Sequence, residues 1–276
     1  MRGGARQAAM RQEPASGTRA RARVVVYEQP LNERVRTLLR LEMLFRRTRH
    51  NLARSTPWDS RAALEGLLEI MAITGRSDLR SELLKELERL AGVLGELASD
   101  PRVDPQRLAR VLGEMEALVD VLRHGNGRFG DALKDNEFLA AVRQRVAIPG
   151  GTCGFDVPAL QFWLEQPAEL RRGDLEAWLA VFAPVETAAE LILRLIRESA
   201  VPTRVVAENG FFQRNLEGGR LCQMVRVGLP GGQGIYPEVS GGRHRVTVRF
   251  LEHDIRGGRP RQTERDVPFD FTCCTL

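Results

Sequence analysis

Lysine is almost missing from this chain: Lys85 and Lys134 are the only two in 276 residues, so arginine carries nearly all of the positive charge. Long apolar runs are missing too. A membrane-spanning helix needs roughly 18 or more consecutive apolar residues, and charge interrupts even the richest stretch, Ala188 to Ile196. No membrane insertion is expected. The four cysteines, Cys153, Cys222, Cys273 and Cys274, show no C-x-x-C spacing, and the adjacent pair cannot bridge to each other without strain. Reduced thiols in a reducing compartment are therefore expected. The four histidines, His50, His124, His244 and His253, fall at no metal-ligand spacing, so neither a metal nor a cofactor is expected. Aromatic residues make up 6% of the chain, and no aromatic motif for stacking RNA bases is visible. The first 22 residues are rich in Arg, Ala and Gly but contain no apolar h-region, which excludes a secretory signal and leaves a disordered basic tail.

What is present suits a folded chain of one or two domains, with 43% hydrophobic residues to bury. The net charge of +5 is unevenly spread. Residues 1–50 hold twelve arginines against four acids, residues 203–276 hold eleven against eight, and the segment between is net acidic. If the two ends meet in space, they make one basic face.

Periodicity divides the chain. Arg23 to Glu28 reads as a short β-branched strand, followed by a helix capped by Asn32 and reaching Arg49. Further helical patterns cover 60–74, 78–98, 105–124 and 131–146; three more cover 158–163, 173–182 and 184–199. From Thr203 the period changes to two, giving strands at 203–207, 211–213, 221–227, 235–239, 245–251 and 266–272. Asn209-Gly210 and Pro230-Gly-Gly-Gln-Gly234 read as hairpin turns. The expected class is α+β: a tail over 1–22, a helical domain over 23–202 and an antiparallel β domain over 203–276, which the strand at 23–29 joins.

No catalytic pattern stands out. A phosphate loop needs a strand before it and a helix after it, whereas Pro230 to Gly234 lies between strands. His253-Asp254 lacks an activated nucleophile, and no histidine lies near Cys153 or Cys222 in sequence to make either a reactive thiolate. The arginines are more telling. At about 100° per residue, Arg36, Arg40 and Arg47 share one face of the first helix, opposite Val35, Leu38, Leu41 and Phe45. In the late strand, period two puts Arg245, Thr247 and Arg249 on one face and Val246, Val248 and Phe250 on the other, with Arg243 extending the row. Such rows suit bidentate recognition of carboxylate or phosphate. The expected function is binding without catalysis, with nucleic-acid binding through the basic surface and tail as the alternative.

Four ordered segments carry a family resemblance. They are Tyr27-Glu-Gln-Pro-Leu-Asn-Glu-Arg-Val-Arg-Thr-Leu-Leu-Arg-Leu-Glu42, Ser81-Glu-Leu-Leu-Lys-Glu-Leu87, Val142 to Pro158 with its Ile148-Pro-Gly-Gly-Thr-Cys-Gly core, and Phe269-Asp-Phe-Thr-Cys-Cys274. Together they resemble the ZapD family of bacterial cell division proteins over about residues 24–274. The resemblance implies a cytoplasmic homodimer at the mid-cell division site that binds the acidic C-terminal tail of FtsZ and bundles its filaments. It also implies a basic pocket near the dimer interface, with Arg36, Arg40, Arg245 and Arg249 at the matching positions. Gln161 and Glu137 depart from the family pattern, standing where related members can carry a histidine and a basic residue.

Overall fold

The computed structural model describes residues 23–75, 79–125, 127–216, 221–242, 244–253 and 256–276. Strand β1 (Val24–Pro30) is followed by eight helices: α1 (Glu33–Leu52), α2 (Pro57–Thr74), α3 (Leu79–Glu96), α4 (Pro105–His124), α5 (Glu137–Arg145), α6 (Pro158–Leu164), α7 (Ala168–Ala180) and α8 (Ala183–Glu198). Strands β2 (Thr203–Ala207), β3 (Phe211–Asn215), β4 (Met224–Pro230), β5 (Ile235–Gly241), β6 (Arg245–Glu252), β7 (Arg261–Gln262) and β8 (Val267–Cys274) complete the chain. The α+β class expected from periodicity is the one observed, and β1 joins the strands as anticipated.

All pairings are antiparallel and form two sheets, ordered β1-β4-β8-β2 and β3-β6-β5, with β7 on β6. Their inner faces bury Val225, Val227, Leu229, Phe269 and Phe271 against Val246, Val248 and Phe250. The Phe250 and Phe269 rings meet at 5.0 Å near edge-to-face, a favoured aromatic geometry. The helices share a second core, to which Met224 and Cys274 of the strands also belong, so the outer face of the first sheet rests on the helices.

Arg197 of α8 holds the two parts together. It forms bidentate bonds to Glu42 of α1 (2.6 and 2.8 Å) and to Glu28 of β1 (2.9 and 2.8 Å), and Arg226 of β4 adds a bond of 3.0 Å to Glu28. The hydrogen bond from Arg197 is the main reason the Glu42 carboxyl lies below the usual glutamate range. A carboxyl depressed on folding stabilises the native state above its unfolded pKa, and the contribution is lost as pH falls toward the folded value. The stability difference between the parent and Arg197→Met should therefore shrink as pH drops from about 6 to about 3. Urea unfolding across that range measures it; a difference independent of pH would contradict the assignment.

Four expectations need correction. Pro230 to Gly234 does not close a hairpin, because β4 and β5 lie in different sheets. The edge of β4 that β5 would have used is taken by β1, and Gly231 N donates to Arg23 O at 2.9 Å to extend that ladder. Asn209-Gly210 does make a tight turn, with φ of 48° and 71° and a Glu208–Phe211 bridge, but β2 and β3 then separate into the two sheets. The helix expected over 131–146 is broken into a 3-10 turn at Asp131–Leu133 and α5, which the Asn136 side chain caps through Leu139 N. Finally, Cys222 and Cys273 are joined as a disulfide with Cα atoms 5.8 Å apart, where reduced thiols were expected. The two cysteines are 51 residues apart, and only the fold brings them together.

Candidate functional site

The α1 row begins with a capped helix. Asn32 Oδ1 accepts from Val35 N at 2.9 Å, and Glu33 in the first turn suits the positive helix end. Val35, Leu38, Leu41, Leu44 and Phe45 are buried, which turns Arg36, Arg40 and Arg47 outward. On β6, Val246, Val248 and Phe250 are fully buried in the sandwich, so Arg245, Thr247 and Arg249 point to the other side of the sheet.

The two rows start at a common corner. A Cβ on Gly241, which pairs with Val246, would meet Leu31 and Val246, so the end of β5 and the start of β6 abut the residues that lead into α1. From there α1 and β6 carry their arginines onward, and among the described residues no hydrogen bond or ion pair links one row to the other. Arg243 lies outside the described residues, as do the tail at 1–22 and Asp254.

The arginines differ in what they have left to offer. Arg36 pairs with Glu33, Arg47 pairs with Glu69 at 2.6 Å, and Arg249 lies 3.9 Å from its cross-strand neighbour Glu238. Arg40 and Arg245 are exposed, and among the described residues neither has a hydrogen-bond or ion-pair partner. Arg245 also lines an open cavity of about 720 Å³ with Asn215, Ser240, His244 and Thr247. A guanidinium among amide, hydroxyl and imidazole groups can hold a carboxylate.

Counting charge along the sequence overstates the basic face. Arg34 and Arg89 both pair with Glu86, which is completely buried, while Arg49 pairs with Glu186 and Arg46 lies 3.7 Å from Glu42. Arg49 is neutralised within the fold, Arg34 and Arg89 share one carboxylate, and Arg46 shares Glu42 with Arg197. Gln161 bonds to Glu165 at 2.9 Å on α6, and Glu137 sits in the first turn of α5, so neither is on the two rows.

The four cysteines stand in different settings. Cys222 is in the disulfide with Cys273, burial pushes the Cys274 thiol up to about 11, and Cys153 is free and exposed. No helix among the described residues is long and apolar enough to cross a membrane.

Comparison with known proteins decides the family. The family model for ZapD, described as a cell division protein, matches residues 39–249. The chain belongs to the ZapD family of cell division proteins. Cell division protein ZapD of Methylococcus capsulatus is 45% identical over 252 residues, covering 91% of this chain and 98% of that protein. The ZapD proteins of Aromatoleum aromaticum (41% identical) and Azoarcus sp. (39% identical) each align over 92% of this chain and over 98% and 100% of their own lengths. The stretch matched by the ZapD family model takes in Arg40 and Arg47 of α1 and Arg245 and Arg249 of β6.

Proposed function

We propose that the chain is a non-enzymatic division adaptor that binds the acidic C-terminal tail of FtsZ and, as a cytoplasmic homodimer at mid-cell, crosslinks FtsZ filaments into bundles. The observation that carries this is the pair of uncompensated arginines, Arg40 and Arg245, on rows that start at one corner of the fold. Other arginines, Arg110, Arg143 and Arg145 among them, are also without a side-chain partner among the described residues; what sets Arg40 and Arg245 apart is their place on two rows that start at one corner. Arg36, Arg47 and Arg249 are offset by Glu33, Glu69 and Glu238, but these exposed pairs can be exchanged for carboxylates of a partner at little cost. Arg243 is proposed to extend the β6 row, as its place in the sequence suggests.

Two tails held by one dimer tether two filaments, and bivalency multiplies the effect of weak individual contacts. Exposed arginine–carboxylate contacts are screened, since the Debye length falls from about 10 Å at 0.1 M salt to about 3 Å at 1 M. Sedimentation with polymerised FtsZ tests the adaptor: the chain should pellet with the polymer at low salt and be released as salt rises. Pelleting that ignores salt would move the contact away from the arginines. DNA binding that outcompetes FtsZ would favour the nucleic-acid alternative.

A further inference from the structure

Three aromatic side chains lie outside both cores and are strongly exposed: Trp58 at 76%, Phe155 at 84% and Phe162 at 71%. In a chain this poor in aromatics, such exposure at one region of the surface calls for a partner. Trp58 starts a stripe of α2 that continues at i+4, i+7 and i+11 through Ala62, Glu65 and Glu69. The Arg47–Glu69 bond sets that stripe directly beside the α1 arginine row. The row itself continues past the helix end at Leu52 to Arg54, which lies 3.8 Å from Asp59. Trp58 therefore stands where the arginine row ends.

Around Trp58 the surface is built rather than incidental. The Arg61 guanidinium stacks on the indole at 5.6 Å from its centroid and also donates to Thr152 Oγ1 at 2.7 Å. That bond fixes the turn that carries Phe155. Behind the turn, Gly154 packs on Gln161, whose neighbour on α6 is Phe162.

We propose that Trp58 and Phe155 form an apolar anchor site at the end of the arginine row, where the acidic peptide that binds Arg40 inserts one bulky apolar side chain. The proposal rests on the tail-binding function above and adds what the peptide must carry besides charge. Charge complementarity favours this occupant, because Arg61 borders the aromatic site and Arg40 lies on the row leading to it, neither with a carboxylate partner among the described residues, while Arg47 and Arg54 are matched by Glu69 and Asp59. From Arg40 to the helix end at Leu52, α1 rises roughly 18 Å, which corresponds to about five to six residues of extended peptide. The peptide therefore places its acidic group and its apolar group at least about five to six residues apart.

Calorimetric titration of the full chain with a peptide of the FtsZ C-terminal tail, and with an oligoglutamate peptide of equal length, tests the anchor. Trp58→Ala removes an exposed side chain and should leave the melting temperature unchanged. It should weaken the tail peptide roughly tenfold, as expected for an aromatic anchor, while leaving oligoglutamate binding and the salt dependence as they were. Arg40→Glu should weaken both peptides and flatten the salt dependence. Equal affinity of Trp58→Ala and parent for the tail peptide, with Arg40→Glu still weakened, overturns the anchor but leaves the tail-binding function intact. Failure of the parent to bind the tail peptide overturns both.

Discussion

The Arg40→Glu/Arg245→Glu double variant should fold normally and fail to bundle FtsZ. Each guanidinium is exposed and, among the described residues, free of internal partners, so neither reversal removes a bond seen in the fold. Surface changes of this kind usually alter stability by no more than about 0.5 kcal/mol. Binding should respond differently. A hydrogen bond to a charged group contributes about 1.5–3 kcal/mol, and about 1.4 kcal/mol is tenfold in affinity. Each reversal should therefore weaken the tail roughly tenfold or more, and the pair about a hundredfold. Light scattering of polymerising FtsZ reads the bundling, and circular dichroism checks the fold. Arg34→Glu/Arg89→Glu makes the instructive contrast: it leaves Glu86 buried without its cations and should unfold the chain rather than uncouple it. If the double variant at Arg40 and Arg245 bundled FtsZ as well as the parent, the arginine rows would not be the contact.

A large loss of stability from a single polar change should come at Arg171. This side chain of α7 is 4% exposed, and no carboxylate is among its partners. Its charge is met by oxygen dipoles instead. Nε donates to Ser60 Oγ at 3.0 Å, Nη1 to Leu164 O at 3.0 Å and to Gln166 O, and Nη2 to Ser55 O at 2.7 Å. One residue thereby ties the α1–α2 connection, the α6–α7 connection and α2 to α7. Arg171→Met keeps the apolar stem but leaves three carbonyls unsatisfied, each costing about 1 kcal/mol or more. A loss of about 3 kcal/mol is expected, read as a lower urea midpoint at unchanged slope. Arg171→Lys should recover only part of it, because an ammonium on one flexible stem cannot reproduce the planar fork of donors. A change below about 1 kcal/mol for Arg171→Met would mean that water replaces the guanidinium.

The elements that served this account best in the sequence were those whose periodicity is local. The i, i+4, i+11 spacing of Arg36, Arg40 and Arg47 and the alternation from Arg245 to Phe250 each translate into a face without knowledge of the rest of the chain. What was hidden depends on distant residues. Pro230 to Gly234 has the composition of a hairpin, but whether β5 folds back on β4 depends on β1, nearly 200 residues earlier in the chain. The Cys222–Cys273 disulfide was hidden in the same way. So was the difference between a free and a spent arginine: Arg47 resembles Arg40 on a helical wheel, yet its partner Glu69 belongs to another helix. Trp58 and Phe155 escaped notice because exposure is a property of packing, and a tryptophan in the first turn of a helix is more often covered than presented.

Bundling has several routes, but tail capture makes one demand that the others do not. Co-sedimentation of the chain with polymers of full-length FtsZ and of FtsZ lacking its C-terminal tail, at low and at high salt, tests that demand directly. The chain should pellet with full-length polymer at low salt, and should remain in the supernatant when the tail is removed or the salt is raised. Equal pelleting with the tailless polymer would contradict the account and place the contact elsewhere on FtsZ.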